Sequence, residues 1–290
     1  MINFTKVHGN GNDFIVLENL EARYSSEELA RFARLLCRRN FSIGSDGVLV
    51  IERALSTNTD FVMRIFNSDG SEGEMCGNGA RALARYAFEK GLAGSPMCFT
   101  TLAGPIHATV EPPYAELDMG DIFYKPLEKE EALGNVLDSR GHEFVFMYLT
   151  VGVPHCVLFV EDYDAMSYDL KLDIGAEVGR DYTRFPKGCN VTFAHPFGEN
   201  EIRAVTYERG VDDLTKSCGT GCVAAAIALA PFFPREKTEL GGVVFRVHNP
   251  GGINEVRLGF APGKASCHAW LKGQTALVAE GRVLDDAFSE

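Results

Sequence analysis

The chain has 290 residues, of which 46% are hydrophobic and 23% charged, a globular composition with enough length for two medium domains. The formal net charge is −12 and no basic block offsets it, so a nucleic-acid partner is not expected. The sequence shows no secretory signal and no apolar run long enough to cross a bilayer, which predicts a cytoplasmic protein that does not contact a membrane.

The first part of the chain reads as short strands with one amphipathic helix. Ser25 is a typical helix cap, and Leu29, Phe32 and Leu36 recur at helical spacing behind it, which predicts a helix over 25–40. The predicted strands are 2–7, 13–18, 48–53, 60–67, 97–102, 106–111 and 114–120.

The second part continues the strand-rich pattern. Two strands are predicted within 147–160, separated at a glycine-proline turn. The others are 189–196, 201–210, 243–249, 254–260 and 276–284.

Two stretches share one order of features: a strand, a polar loop, C-G-x-G and a helix of small residues. They are "EMCGNGARALARYA" at 74–87 and "SCGTGCVAAAIALA" at 217–230. In the first helix Arg81, Arg85 and Glu89 form one stripe on a largely apolar surface, and the run after Gly221 carries no charge. This weak repeat predicts two similar α/β domains, each with strands around a buried helix.

Cys76 and Cys218 would lie at the N-termini of these helices. There the helix dipole and free N–H groups favour a thiolate, which lowers a cysteine pKa, and they also form an anion site. Two such thiols suit removal of a proton from one face of a carbon and its return to the other face, which is racemisation or epimerisation without a cofactor. The alternative is that both cysteines are buried packing residues.

The eight cysteines are scattered, and no zinc-type spacing is present, so neither a metal nor a cofactor is expected. Cys218 and Cys222 lie one helical turn apart, which leaves a metal- or redox-binding protein as an alternative of another class.

Other polar residues carry weaker signals. His155 fits a general base or a core histidine equally well. Glu208 and Arg209 fit a solvated strand end, and Arg209 also fits a bidentate carboxylate clamp. Asn12, Asn67 and Asn190 fit turn positions.

On these motifs the chain resembles the diaminopimelate epimerases, which interconvert LL- and meso-diaminopimelate. The matching segments are "KVHGNGNDFIV" (6–16), "GSDGVLV" (44–50), "FNSDGSEGEMCGNGARALARY" (66–86), "GVPHCVLFV" (152–160), "GCNVTF" (188–193), "YERG" (207–210) and "CGTGCVAAA" (218–226).

The resemblance implies an α/β (α+β) fold of two similar domains, each a strongly curved, mainly antiparallel sheet around a central helix, with the active site in the interdomain cleft. The domains would be 1–120, joined by the returning segment 273–290, and 121–272.

It also implies the site. Cys76 and Cys218 match the catalytic pair, and His155 and Glu208 match residues that assist the thiols and the reacting amino acid. The residues that would hold the reacting carboxylate are Gly77, Asn78, Gly219 and Thr220. The residues that would recognise the rest of the substrate are Asn12, Asn67, Asn190 and Arg209, and Glu208 would belong to both the catalytic and the substrate-binding set.

Two departures put the substrate in question. Members of the family often have GNPH where this chain reads GVPH, so Val153 lacks an amide, and the loop 211–217 is one residue longer than usual. A two-cysteine racemase for another amino acid and a catalytically silent member of the fold therefore stay open. A small-molecule amino acid is the expected partner, and a homodimer is left open.

Overall fold

The computed structural model describes residues 2–123, 133–138, 140–232, 242–260 and 266–288. The chain forms two compact units, here called unit 1 (Met1–Asp118 with Lys272–Glu290) and unit 2 (Met119–Leu271). In the part of the chain that the structure describes, no helix has the length and apolar character needed to span a membrane. The division into functional domains stays a prediction.

Unit 1 is a mainly antiparallel sheet with two helices. The strands are β1 (Ile2–Gly9), β2 (Asn12–Glu18), β3 (Gly47–Arg53), β4 (Phe61–Asn67), β5 (Glu72–Gly73), β6 (Met97–Thr101), β7 (Gly104–Glu111) and the start of β8 (Tyr114–Phe123). The helices are α1 (Ser26–Leu36) and α2 (Gly77–Glu89). Two pairings are parallel, β2 with β3 and β4 with β6, and the others are antiparallel.

Unit 2 repeats this order. Its strands are β9 (Leu133–Leu137), β10 (Glu143–Val151), β11 (Val153–Phe159), β12 (Asn190–Gly198), β13 (Glu201–Glu208), β14 (Asp213–Thr215), β15 (Val243–Asn249), β16 (Gly252–Phe260) and the start of β17 (Ser266–Val283), whose second part pairs with β1 in unit 1. The helices are α3 (Tyr168–Gly179) and α4 (Gly219–Leu229). Two pairings are again parallel, β11 with β12 and β13 with β15.

In each unit the helix that follows the C-G-x-G motif packs against many strands. Helix α2 packs on β1, β2, β3, β4 and β7, and helix α4 packs on β10, β11, β12, β13, β15 and β16. Every residue of α4 except Thr220 is buried, as its uncharged sequence predicts. The predicted fold class, with two similar halves built from curved sheets and few helices, is confirmed.

The structure also corrects several expectations. Helix α3 and the first part of β17, an 18-residue strand, are absent from the sequence-based assignment. The turn within 147–160 is made by Gly152, with φ +67, while Pro154 lies inside β11. Arg81, expected on a polar stripe of α2, is fully buried.

Candidate active-site residues of the two units

Cys76 is the N-cap residue of α2. Its backbone is extended, with φ −137 and ψ 120, and its sulfur accepts a hydrogen bond from the Gly79 N–H at 3.5 Å. An N-cap side chain normally supplies an oxygen to the free N–H groups of the first turn. Here a sulfur occupies that position, so it shares the first turn with the backbone amides that attract anions.

Asn12 and Asn78 lie beside the Cys76 sulfur. Asn12 is the first residue of β2, and its Oδ1 accepts from the Cys76 thiol at 3.7 Å and from Asn78 Nδ2 at 3.3 Å. Asn78, which is buried, follows Gly77 in the first turn of α2. The structure therefore brings Asn12, Cys76, Gly77 and Asn78 together.

The approach of β1 to this turn depends on a glycine. A Cβ atom on Gly9 would lie 2.7 Å from the Asn78 carbonyl oxygen, which is closer than real contacts allow. The glycine of "HGNGN" is therefore needed because the strand passes directly against the first turn of α2.

Asn67 is placed differently. It ends β4 and is exposed, and its Nδ2 donates to Ser71 Oγ at 3.0 Å. Its side chain therefore stabilises the following turn in this structure.

Cys218 has the same position in unit 2. It is the N-cap of α4, with φ −111 and ψ 109, and its sulfur accepts from the Gly221 N–H at 3.4 Å. Thr220 Oγ1 lies 3.5 Å from the same sulfur. Cys218, Gly219 and Thr220 thus form the counterpart of the Cys76 turn.

The electrostatics of Cys218 differ from the expectation. Burial raises the pKa of the Cys218 thiol well above its usual value, and the neighbouring Glu208 carboxylate raises it further. The Thr220 hydroxyl and the Gly221 N–H act in the opposite direction but do not offset burial. The expected lowering of the Cys218 pKa is therefore wrong for the chain in this state, and Cys218 is a protonated thiol.

Glu208 ends β13 beside this thiol. Burial raises the pKa of Glu208, whereas hydrogen bonds from Thr215 and Cys218 lower it. The Thr215 hydroxyl donates to Glu208 Oε1. Thr215 belongs to the lengthened 211–217 loop, in strand β14, and was not among the sequence-based candidates.

His155 is fully buried on β11. Its Nε2 lies 3.0 Å from Thr220 Oγ1, and burial lowers the pKa of His155 to about 3. The imidazole is therefore neutral at physiological pH. His155 is linked through Thr220 to Cys218, so the structure places it at the second cysteine.

Asn190 and Arg209 form a second polar group at the same end of unit 2. The parallel pairing of β11 with β12 sets His155 opposite Asn190, and Asn190 Oδ1 accepts from the Arg209 N–H at 2.9 Å. Arg209 is exposed, and its guanidinium donates to the Lys187 carbonyl. The Arg209 backbone and the Asn190 side chain are therefore held together.

Cys222 belongs to a separate network. It is buried, and its sulfur lies 2.9 Å from Asn249 Oδ1 and 3.3 Å from Asn254 Nδ2. These amides give the Cys222 sulfur hydrogen-bond partners of its own.

Arg81 is the residue of unit 1 with the clearest contact to the site that is absent from the sequence-based candidates. It donates to Asn78 Oδ1 at 2.6 Å from a fully buried position. Its sequence signal was an arginine directly behind C-G-N-G among small and apolar residues, since Arg is almost never buried unless it has a partner.

Solved structures that share this fold include a probable proline racemase and a hydroxyproline epimerase. A probable proline racemase from Agrobacterium radiobacter K84 superimposes with a TM-score of 0.72 at 18% identity, covering 99% of this chain and 94% of that one. A hydroxyproline epimerase from Agrobacterium vitis gives a TM-score of 0.73 at 16% identity, covering 98% and 93%. At these identities the likeness establishes the fold.

Sequence relatives show which family the chain belongs to. The family model described as "Diaminopimelate epimerase" matches residues 4–124 and 147–258. The protein named diaminopimelate epimerase from Methanocella arvoryzae is 39% identical over 289 residues, covering 97% of this chain and 96% of the relative. The one from Methanothrix thermoacetophila is 38% identical over 291 residues, covering 98% and 97%. The chain belongs to the diaminopimelate epimerase family and is an amino-acid epimerase, an isomerase.

Proposed function

We propose that this chain interconverts LL-diaminopimelate and meso-diaminopimelate without a cofactor, using Cys76 and Cys218 as a thiolate and thiol pair. The observation that carries the proposal is the repeated N-cap geometry. Each unit starts its central helix with an extended cysteine whose sulfur accepts from the N–H three residues on. The names of the sequence relatives support the substrate.

The proposed reaction conserves atoms and electrons. One thiolate takes the α-hydrogen as a proton, so the C–H bond breaks, an S–H bond forms and the electron pair is delocalised onto the substrate carboxylate. The other thiol then gives its proton to the opposite face of the α-carbon and becomes a thiolate. No group is oxidised or reduced, and the reverse reaction exchanges the two roles.

Backbone amides would stabilise the charge that grows on the carboxylate. Gly77 and Asn78 in unit 1, with Gly219 and Thr220 in unit 2, offer the free N–H groups of a helix start. Donors already in place where charge develops lower the barrier because they need no reorganisation.

The remaining residues take the roles that the family resemblance implies. Neutral His155, acting through Thr220, and Glu208 assist proton movement at Cys218, and Glu208 also contacts the reacting amino acid. Asn12, Asn67, Asn190 and Arg209 recognise the substrate, chiefly its distal amino-acid end, since they supply amide and guanidinium groups suited to carboxylate and ammonium.

Exchange of the α-hydrogen with deuterated water tests the reaction. Purified chain incubated with LL- or meso-diaminopimelate should incorporate deuterium and change the isomer ratio, as followed by NMR and chiral chromatography. Cys76→Ala and Cys218→Ala should each abolish epimerisation. Full activity of either variant would refute the two-thiol mechanism.

A racemase for another amino acid is the second candidate, and Val153 favours it. This apolar residue begins β11 and is 36% exposed, where the family often carries an asparagine. The same exchange assay across proline, hydroxyproline and other amino acids separates the two. Exchange with one of these and none with diaminopimelate would reject the first candidate.

A further inference from the structure

We propose that Arg81 is a positioning residue that orients a chain of side-chain amides ending at the Cys76 sulfur. The catalytic meaning of this inference rests on the proposed function, because it concerns the thiol assigned to proton transfer. The geometry of the chain itself does not depend on the substrate.

The chain begins at a group that can only donate. The Arg81 guanidinium has five N–H donors and no acceptor, and it donates to Asn78 Oδ1 at 2.6 Å. Because Oδ1 of Asn78 is held by this cation, its Nδ2 must face the other way. It donates to Asn12 Oδ1 at 3.3 Å.

The other end is a group that accepts. Asn12 Nδ2 donates to Asp46 Oδ2 at 2.7 Å, and the Asp46 carboxylate is itself bound by Arg39 at 2.7 Å. A carboxylate cannot exchange roles with an amide N–H. Asn12 is therefore fixed with its nitrogen toward Asp46 and its oxygen toward Asn78.

One orientation of both amides satisfies the two ends. It leaves Asn12 Oδ1 facing the Cys76 thiol, 3.7 Å away, while the Gly79 N–H faces the same sulfur at 3.5 Å. The carbonyl oxygen favours the protonated sulfur and the N–H favours the thiolate. By directing Asn78 Nδ2 onto this oxygen, Arg81 makes it a weaker acceptor for the Cys76 thiol, so the thiolate is less disfavoured and Arg81 acts on Cys76 through Asn78 and Asn12.

Alkylation of Cys76 measures this effect without any substrate. The variant Arg81→Met removes the donor and the charge while keeping a long apolar stem. Its Cys76, followed by iodoacetamide labelling and peptide mass spectrometry at pH 8, should react roughly tenfold more slowly, a change in the range of coupled neighbours. The rate for Cys218, in the other unit, should stay unchanged.

A double-mutant cycle separates positioning from packing. If Arg81 acts through Asn78, then Arg81→Met should have little further effect on Cys76 alkylation in an Asn78→Ala background. Arg85→Met removes an arginine one turn later on α2, where it pairs with Glu89, and is the matched control. Additive losses, or an equal loss in Arg85→Met, would assign Arg81 a structural role and overturn the proposal.

Folding is checked by thermal melting, and Arg81→Lys replaces Arg81→Met if the latter does not fold. The lysine variant keeps a cation but loses the planar fork, so alkylation of Cys76 should fall about threefold, within the same coupling range. A folded Arg81 variant with wild-type Cys76 reactivity would refute the inference. Failure of diaminopimelate exchange in the wild-type chain would instead refute the proposed function and leave this result intact.

Discussion

Nε2 of the fully buried His155 lies 3.0 Å from the hydroxyl oxygen of Thr220. The same hydroxyl lies 3.5 Å from the Cys218 sulfur, so one side chain links the imidazole to the thiol. An imidazole carrying its proton on Nε2 donates to the Thr220 oxygen, and the hydroxyl hydrogen is then directed to the sulfur. This arrangement stabilises the thiolate when it forms.

Replacement of Thr220 tests this link. Thr220→Val keeps the shape and removes the hydroxyl, so the Cys218 pKa should rise further and kcat for α-hydrogen exchange should fall about 100-fold, the lower range for assisted proton transfer. Thr220→Ser retains the hydroxyl and is the matched control, with activity within about threefold of wild type, as expected for a kept hydrogen bond. Equal loss in both variants would show that the hydroxyl is not responsible.

Removal of the Glu208 charge should change Cys218 in the opposite direction. The Glu208 carboxylate raises the Cys218 pKa, so Glu208→Gln should lower it and move the pH profile of Cys218 alkylation to lower pH. Asp212→Asn, in the adjacent loop where Asp212 pairs with Arg180, is the control and should leave the profile in place. A shift to higher pH in Glu208→Gln would contradict the assignment.

His155 should make the protein sensitive to acid. Its pKa is about 3 in the folded chain against 6.5 for the free side chain, so the unfolded chain binds more protons between these values. The free energy of unfolding should therefore fall as pH drops from 6.5 toward 3, by up to about 1.4 kcal/mol per pH unit. Chemical denaturation across this range measures the slope.

The corresponding position in unit 1 suggests a substitution for His155 that removes its titratable group. Phe14 pairs with Gly47 across the parallel β2–β3 step, as His155 pairs with Asn190 across β11–β12. His155→Phe should lose part of the acid slope below pH 6.5 and also lose activity. An unchanged slope in a folded His155→Phe variant would place the acid sensitivity elsewhere.

Gly9 should tolerate no side chain. Gly9→Ala would place a Cβ 2.7 Å from the Asn78 carbonyl oxygen, and the strain should cost about 1–3 kcal/mol of stability while displacing the first turn of α2. Gly94→Ala is the control, because a Cβ there has no atom within 4 Å. Denaturant titration and kcat report the two effects, and equal behaviour of the variants would argue against the close approach.

Local pattern was sufficient for most elements of the fold. The cap at Ser25 and the apolar spacing behind it predicted α1, which ends at Leu36 rather than at 40. Both cysteine helices begin at the glycine after the cysteine, as the C-G-x-G motifs predicted. Helix α3 was not predicted because Gly175 and Gly179 interrupt its apolar pattern. A side chain at either position would be too close to Tyr207 on β13 or to the Cys189 carbonyl oxygen.

The amino-acid sequence by itself determined the two cysteine turns, the repeated halves and the family, because these depend on short-range spacing and on residues that stand next to each other. Tertiary structure alone decided that Cys218 is protonated, that His155 is neutral, and that buried Arg81 donates to Asn78. Those properties depend on burial and on partners brought in from distant strands, such as Asn12 on β2 and Glu208 on β13. Spacing along one helix carries no information about which strand covers it.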